Sequence, residues 1–349
     1  MKKILLISVM PGNMEFIYKN KSSNYNVELF KAYNYINKRL MGRFIKLKFL
    51  FKKYDLVIAD YPTLLLKRGR KSIYMDHGSG LKLMPGLYEV NDKNIIKTSK
   101  AIEQATYFIT QSKRERDILY TWLPYVKKEN FDFRELGQPR NDKLFNKKFI
   151  SDSNLYIRKK YGIPKKNKVV ILAPTWRGYK CNFNNIFCEE NIKILDEYFL
   201  KNNITLIYRP HYLENGIDID LIQNMSSSKV ISSLEEQDTQ IVLTAADILI
   251  SDYSGIIIEF LALNKPIIFL DVDSKEYDDY RGLAINYYNN LHTPGPKVKN
   301  IYEIIEYINS ILKGIDIYKL IRNESIQYYY QNYDGNSVDR IWRFINEIL

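Results

Sequence analysis

Nine short apolar runs, each closing on polar or charged residues, set the tightest limit on what this chain can fold into. They lie at residues 2–9, 54–60, 72–77, 107–112, 168–175, 204–210, 230–233, 248–254 and 266–272. Runs this short, bounded by turn residues, read as strands buried on both faces, and helical patterns lie between them. Such alternation leads to parallel sheets covered by helices, an α/β fold. A parallel sheet delivers whatever follows each strand to one common edge, where ligands bind. Four junctions carry polar motifs: Asp76-His77-Gly78, Pro174-Thr175-Trp176-Arg177, Arg209-Pro210-His211 and Ser251-Asp252-Tyr253-Ser254. Two His, two Arg, a Ser and a helix start gathered in one cleft suit a phosphate-bearing substrate.

The runs fall into two sets, separated by a Gly/Pro-containing loop at 134–142 and a Lys-rich stretch at 143–153 that reads as a linker. With 349 residues the chain suits two domains, expected at 1–150 and 151–349. Residues 338–349 form an amphipathic helix counted with the second domain, apolar at Val338, Ile341, Trp342, Ile345 and Leu349. Two such domains in series are expected to face each other across a cleft.

Charge is unevenly spread. The net charge is +12, yet residues 1–175 carry 36 Lys and Arg against 15 acids, and residues 176–349 carry 16 against 25. A basic half points to a polyanionic partner, either nucleic acid or an anionic membrane surface. The basic run 38–53 (KRLMGRFIKLKFLFKK) favours the membrane. On a helix, Leu40, Phe44, Leu47 and Phe51 share one face, flanked by Arg39, Arg43, Lys46, Lys48 and Lys52, the profile of an interfacial helix. The competing reading is a core helix with a solvated basic face. No RNA- or DNA-binding motif accompanies the basic run. The apolar start stops at Pro11-Gly12 with no cleavage site, so it reads as a strand and not a secretory signal. No apolar stretch reaches the ~20 residues that span a bilayer. Two cysteines, Cys181 and Cys188, make neither a disulfide framework nor a zinc site and suit a reduced compartment.

Each motif has a chemical reading and a structural one. His77 is suited to accept a proton near neutral pH, with Asp76 orienting it and Lys82 close behind; a loop histidine that only hydrogen-bonds is the alternative. Arg177 at a strand tip can clamp a phosphate through paired hydrogen bonds, or simply pack on Trp176. Arg209 and His211 flank a proline that aims one of them at the ligand. Ser254 and Gly255 open an apolar helix at 256–263 and suit an anion; an ordinary helix cap explains the same serine. Glu259 lies a turn further on, where it can reach ribose hydroxyls or be a buried, paired carboxylate. Asp271-Val272-Asp273 has the form of a metal-binding Asp-x-Asp, but no other carboxylates accompany it. No metal site and no resident cofactor are expected.

In order along nearly the whole chain, the motifs resemble those of the CDP-glycerol glycerophosphotransferases, the primases and polymerases of wall teichoic acid and related capsules. The resemblance rests on HG-x-x-LK (His77–Lys82), G-x-PRND (Gly137–Asp142), APTWR (Ala173–Arg177), RPH (Arg209–His211) and SDYS (Ser251–Ser254). It continues in KPIIF (Lys265–Phe269), YRG (Tyr280–Gly282), PGP (Pro294–Pro296) and YDG-x-S-x-x-R (Tyr333–Arg340). It implies a GT-B-like fold of two facing Rossmann-like domains, with the nucleotide on the second. It implies transfer of glycerol phosphate from CDP-glycerol to a hydroxyl of a lipid-linked glycan acceptor at the inner leaflet of the plasma membrane, with release of CMP. By that resemblance His77 is the general base, Arg177, His211 and Ser254 hold the pyrophosphate, and Glu259 holds the ribose. The alternatives are a CDP-ribitol donor, a UDP-sugar-dependent GT-B enzyme, and a basic nucleic-acid-binding protein. Metal dependence stays open.

Overall fold

A computed structural model describes residues 1–9, 11–35, 49, 51–76, 80–83, 87, 93–122, 132–179, 183–211 and 217–349. His77, Gly78, Cys181 and, in the basic run, Arg39, Arg43, Phe44, Lys46 and Lys48 lie outside the described residues. The chain divides into two units, Met1–Lys143 with Tyr329–Leu349, and Leu144–Tyr328.

Each unit is built on a six-stranded parallel sheet. In the first, β1 (Lys2–Ser8), β2 (Tyr25–Lys31), β3 (Tyr54–Ala59), β4 (Gly69–Met75), β5 (Tyr107–Thr110) and β6 (Asp132–Glu135) are ordered β2-β1-β3-β4-β5-β6. In the second, β7 (Lys168–Leu172), β8 (Ile204–Tyr208), β9 (Ser228–Val230), β10 (Ile248–Ser251), β11 (Ile267–Leu270) and β12 (Lys297–Val298) are ordered β12-β11-β10-β7-β8-β9. Both sheets therefore reverse their direction of growth beside their first strand, between β1 and β3 and between β7 and β10. In open α/β sheets this switch point opens a crevice at the carboxyl ends of the strands.

The apolar runs forecast all eight inner strands, and the run at 230–233 falls at one edge strand, β9. β2, β6 and β12 were not among them, and each is the edge of its sheet. An edge strand has a partner on one side only and keeps polar residues exposed. β2 reads YNVELFK and β6 reads DFRE, without a continuous apolar run.

Two expected boundaries change. The Lys-rich stretch taken as a linker is largely helix, Lys147–Lys160, with Asn146 Oδ1 accepting from the Phe149 N–H as its cap. The C-terminal helix, Ser337–Ile348, belongs to the first unit and not the second. Its Val338, Ile341, Trp342, Phe344 and Ile345 pack into the core formed by Ile4, Leu6, Leu56, Ile58 and Ile73. Burying each such side chain contributes roughly 1.5–3 kcal/mol, which is why sequence position does not decide where the helix docks.

That docking explains two of the motifs. Asp142, the last residue of G-x-PRND, accepts hydrogen bonds from the Ser337 N–H (3.0 Å) and the Val338 N–H (2.9 Å) and so caps the helix. Arg340 donates to the Leu136 carbonyl (3.0 Å) and to both oxygens of Asp334. Gly137 has φ +97°, and a Cβ there would lie 2.2 Å from Ser337 Oγ. Only glycine meets both conditions. These residues hold the fold together; they are framework.

Candidate active site

The second unit gathers three of the four motifs on neighbouring strands. β10, β7 and β8 are adjacent, so the segments after them, 252–255, 173–177 and 209–211, leave the sheet at one edge. The switch point between β7 and β10 is held closed by side chains. Asp252 accepts from the Thr175 N–H with both oxygens (2.9 and 3.1 Å), and Ser251 Oγ donates to the Ala173 carbonyl (2.7 Å).

Arg177, expected as a phosphate clamp, is the centre of this lock. Its side chain is 1% exposed. Nε and Nη2 donate to the two oxygens of Asp273 (2.9 and 2.7 Å), and Nη1 donates to Asp252 (2.6 Å) and the Thr175 carbonyl (2.5 Å). The guanidinium also lies 5.1, 5.0 and 4.9 Å from the ring centres of Phe183, Tyr253 and Tyr277. Burial opposes the charge, but Asp252 and Asp273 more than offset it, so its pKa lies well above the ordinary value. Arg177 ties the ends of β7, β10 and β11 together through four hydrogen bonds to protein groups. The same geometry accounts for Asp-x-Asp. Asp273 also accepts from Tyr179 and Tyr253 hydroxyls, and Asp271 from Tyr288 (3.1 Å).

Arg209 is likewise enclosed by protein groups. It is buried and donates to the carbonyls of Ile231 (3.4 Å) and Glu236 (2.9 Å) and to Thr239 Oγ1 (3.1 Å), bracing the segment that follows β9. Burial pulls its pKa below the ordinary value, against the nearby Glu236 and Glu259. The proline thus separates a buried arginine from His211, which is exposed and lies against Trp176, ring centres 6.5 Å apart at 29°. Of the RPH trio, His211 is the one that stands outside the core.

Ser254 is partly exposed, with Oγ accepting from the Ile256 N–H at 3.4 Å, and Gly255 precedes the helix Ile256–Leu261. That helix is shorter than expected, so the serine hydroxyl matters more than a helix field. Glu259 is buried and accepts from Gln240 Nε2 at 2.8 Å. The competing reading, a paired structural carboxylate, describes that contact.

The first unit places Asp76 after β4, buried, with its carbonyl accepting from Asn13 Nδ2 at 3.2 Å. Lys82 is partly buried. At this unit's switch point Asp60 accepts from the Val9 N–H (2.8 Å) and Ser8 Oγ (3.1 Å), the counterpart of Asp252 and Thr175. Lys52, expected to face lipid, pairs with Glu28 at 3.0 Å. Among the described residues no group of three or more His, Cys, Asp or Glu converges as a metal site, and no helix is long and apolar enough to cross a membrane.

Sequence reasoning named Asp252 within a motif without giving it a role and weighed Asp273 only as part of an Asp-x-Asp, so their pairing with Arg177 was not foreseen. It passed over Asn13, Gln111, Glu115 and Gln138, which meet only in space.

Two Rossmann-like parallel sheets with polar loops at their carboxyl edges define a GT-B-like α/β enzyme. The wall teichoic acid polymerase TagF has the same fold, with a TM-score of 0.71 over 99% of this chain and 89% of that one at 21% identity. The family model of the CDP-glycerol:poly(glycerophosphate) glycerophosphotransferases matches residues 12–347, and the chain belongs to that family. It is similar to the teichoic acid poly(glycerol phosphate) polymerase of Bacillus spizizenii W23, 29% identical over 84% of this chain and 78% of that protein. It is equally similar to the teichoic acid glycerol-phosphate primase of Bacillus subtilis 168, 29% identical over 87% and 77%. The chain is a glycerophosphotransferase.

Proposed function

We propose that this enzyme transfers glycerol phosphate from CDP-glycerol to a hydroxyl of a teichoic-acid-type acceptor carried on polyprenyl diphosphate, releasing CMP. The observation that carries the reading is the edge where β7, β8 and β10 end, which presents Trp176, His211 and Ser254 above a buried ionic lock. In the step itself the acceptor oxygen attacks the β-phosphorus, the bond from that phosphorus to the bridging oxygen breaks, and CMP leaves with the bridging oxygen. The acceptor proton passes to His77. Phosphoryl transfer asks a protein chiefly for positioning and charge stabilisation. His211 and Ser254 act on the pyrophosphate; the phosphate favours the charged imidazole, which offsets charge gathering on the leaving oxygen. Glu259, oriented by Gln240, meets the ribose. Arg177 holds the loops that carry these groups, and no metal is assigned a step.

The excess of cations in residues 1–175, with the run 38–53, fits peripheral attachment to an anionic inner leaflet, where a lipid-linked acceptor resides. The test is release of CMP by the purified protein from CDP-glycerol, CDP-ribitol and a panel of UDP-sugars, with and without a lipid-linked disaccharide acceptor. Acceptor-dependent CMP release from CDP-glycerol, abolished in His77→Ala while CDP binding persists, is the expected result. Turnover of CDP-ribitol alone reassigns the alditol, and release of UDP overturns the chemistry.

A further inference from the structure

A cavity of about 290 Å³ opens at the carboxyl ends of β11 and β12, in a part of the second unit to which the transfer chemistry above gives no role. Asp271, Ser274, Lys275 and Glu276 reach it from the segment after β11 and the start of the helix Ser274–Arg281; Tyr288 and Lys299 reach it from either side of β12. The segment after β11 is firmly anchored, because Asp273 pairs with Arg177. β11 is the neighbour of β10, whose end carries Ser254, so the cavity shares the sheet edge at which the donor groups stand. Small-molecule sites run from about 300 to 1,000 Å³, so this one has room for a single small unit and not for a nucleotide.

The lining alternates acceptors with donors. The Tyr288 hydroxyl lies 3.1 and 3.3 Å from the two oxygens of Asp271 and 2.8 Å from Ser274 Oγ. A carboxylate only accepts, so the one Tyr288 proton goes to Asp271, and Ser274 Oγ donates to Tyr288 Oη. Both Asp271 and Ser274 Oγ keep lone pairs for a further donor. Lys299 Nζ stands 3.5 Å from Asp271, a loose pairing on a side chain that is 69% exposed. Lys275 and Glu276 are exposed at the first turn of their helix, and Tyr288 is 61% exposed. Two carboxylates and two ammonium groups leave the lining with no net charge. A polyphosphate would meet Asp271 and Glu276, and a cation would meet Lys275 and Lys299. A hydroxyl both donates and accepts, so a polyol pairs with all four, and its carbon face packs on an exposed tyrosine ring.

We propose that this cavity is a polyol subsite that holds a sugar or alditol unit of the acceptor. Asp271 and Ser274 accept from its hydroxyls, Lys275 and Lys299 donate to them, and Tyr288 packs on its carbon face. The proposal rests on the functional reading above and adds to it the residues that recognise the acceptor. The cavity lies one to two strand spacings beyond β10, roughly 5–10 Å. That is beyond a three-carbon group held at Ser254 and within reach of an acceptor whose hydroxyl attacks there.

The test uses the 349-residue chain as wild type, Tyr288→Ala and Asp271→Asn. Tyr288 is exposed, so its truncation should leave Tm within about 2 °C of wild type and separate binding from folding. Saturation-transfer NMR with glycerol, ribitol and methyl N-acetylglucosaminide as probes reads the subsite without turnover. At least one probe should bind wild type and lose roughly 10-fold in affinity in each variant, the scale of a lost hydrogen bond to a charged group. With the lipid-linked disaccharide, KM for the acceptor should rise by about the same factor while KM for CDP-glycerol stays within about 3-fold. No transfer to any probe, or equal affinity in wild type and both variants, overturns the subsite. A rise in KM for CDP-glycerol with the acceptor KM unchanged overturns the assignment to the acceptor and makes the bound polyol the donor's own glycerol. Wild-type protein that turns over no CDP-glycerol refutes the functional reading instead, and the NMR titration alone then decides whether the cavity binds polyols.

Discussion

Replacing Arg177 with methionine separates two roles for a residue that sequence alone presents as a phosphate clamp. Methionine keeps much of the volume and removes the charge and five N–H donors. It leaves Asp252 with the Thr175 and Tyr253 N–H groups and Asp273 with the Tyr179 and Tyr253 hydroxyls, both carboxylates still buried. Removing one partner of a buried ion pair costs about 3–5 kcal/mol, and the aromatic rings around the guanidinium add to that figure. For a unit of this size each kcal/mol corresponds to roughly 2–4 °C, so Tm should fall by about 6–20 °C. Calorimetry on wild type, Arg177→Met, and Arg177→Met with Asp273→Asn gives the comparison. The double variant should recover part of the loss, because it removes a stranded charge. A single variant that melts within about 2 °C of wild type but has lost CDP binding refutes the reasoning and makes Arg177 a phosphate ligand after all.

Three further outcomes follow from the same structure. His211→Ala should weaken CDP binding, read by calorimetric titration, with Tm unchanged, since the ring is exposed and touches Trp176. Asp142→Ala removes the acceptor for two N–H groups at the start of the C-terminal helix and should cost about 1–2 kcal/mol in denaturant titration, with CDP affinity retained. Glu115 binds its proton more tightly folded than unfolded, so its contribution is full below the ordinary carboxyl value of 4.5 and is lost as pH rises towards about 8. Wild-type Tm should therefore decline across that window relative to Glu115→Gln, and parallel curves would show that Glu115 does not titrate there.

Three of the nine family-like motifs make framework contacts, and nothing local to them says so. Gly137, Asp142, Ser337 and Arg340 lock the C-terminal helix to the first unit. Tyr280 of YRG packs on Gly178, where a Cβ would come 2.7 Å from its hydroxyl. A sequence run shows that a polar residue ends a buried strand; it does not show whether that residue turns towards ligand or towards a neighbouring strand end. Arg177 and His211 both lie in the segment that follows a buried strand, yet one is enclosed by two carboxylates and the other is exposed.

What the sequence determined by itself was the architecture of the inner strands and the common edge to which the motifs are delivered. Continuous apolar runs are buried best in the middle of a parallel sheet, and parallel order then places every following loop at the same edge. Tertiary structure alone decided the edge strands β2, β6 and β12, the home of the C-terminal helix, the enclosure of Arg177 and the hydrogen-bonded chain from Glu115 to the Asp76 carbonyl. Each of these depends on which residues, distant in the chain, become neighbours when the sheet order is set. Hydrogen bonds and ion pairs between such residues leave no periodicity for a linear reading to find.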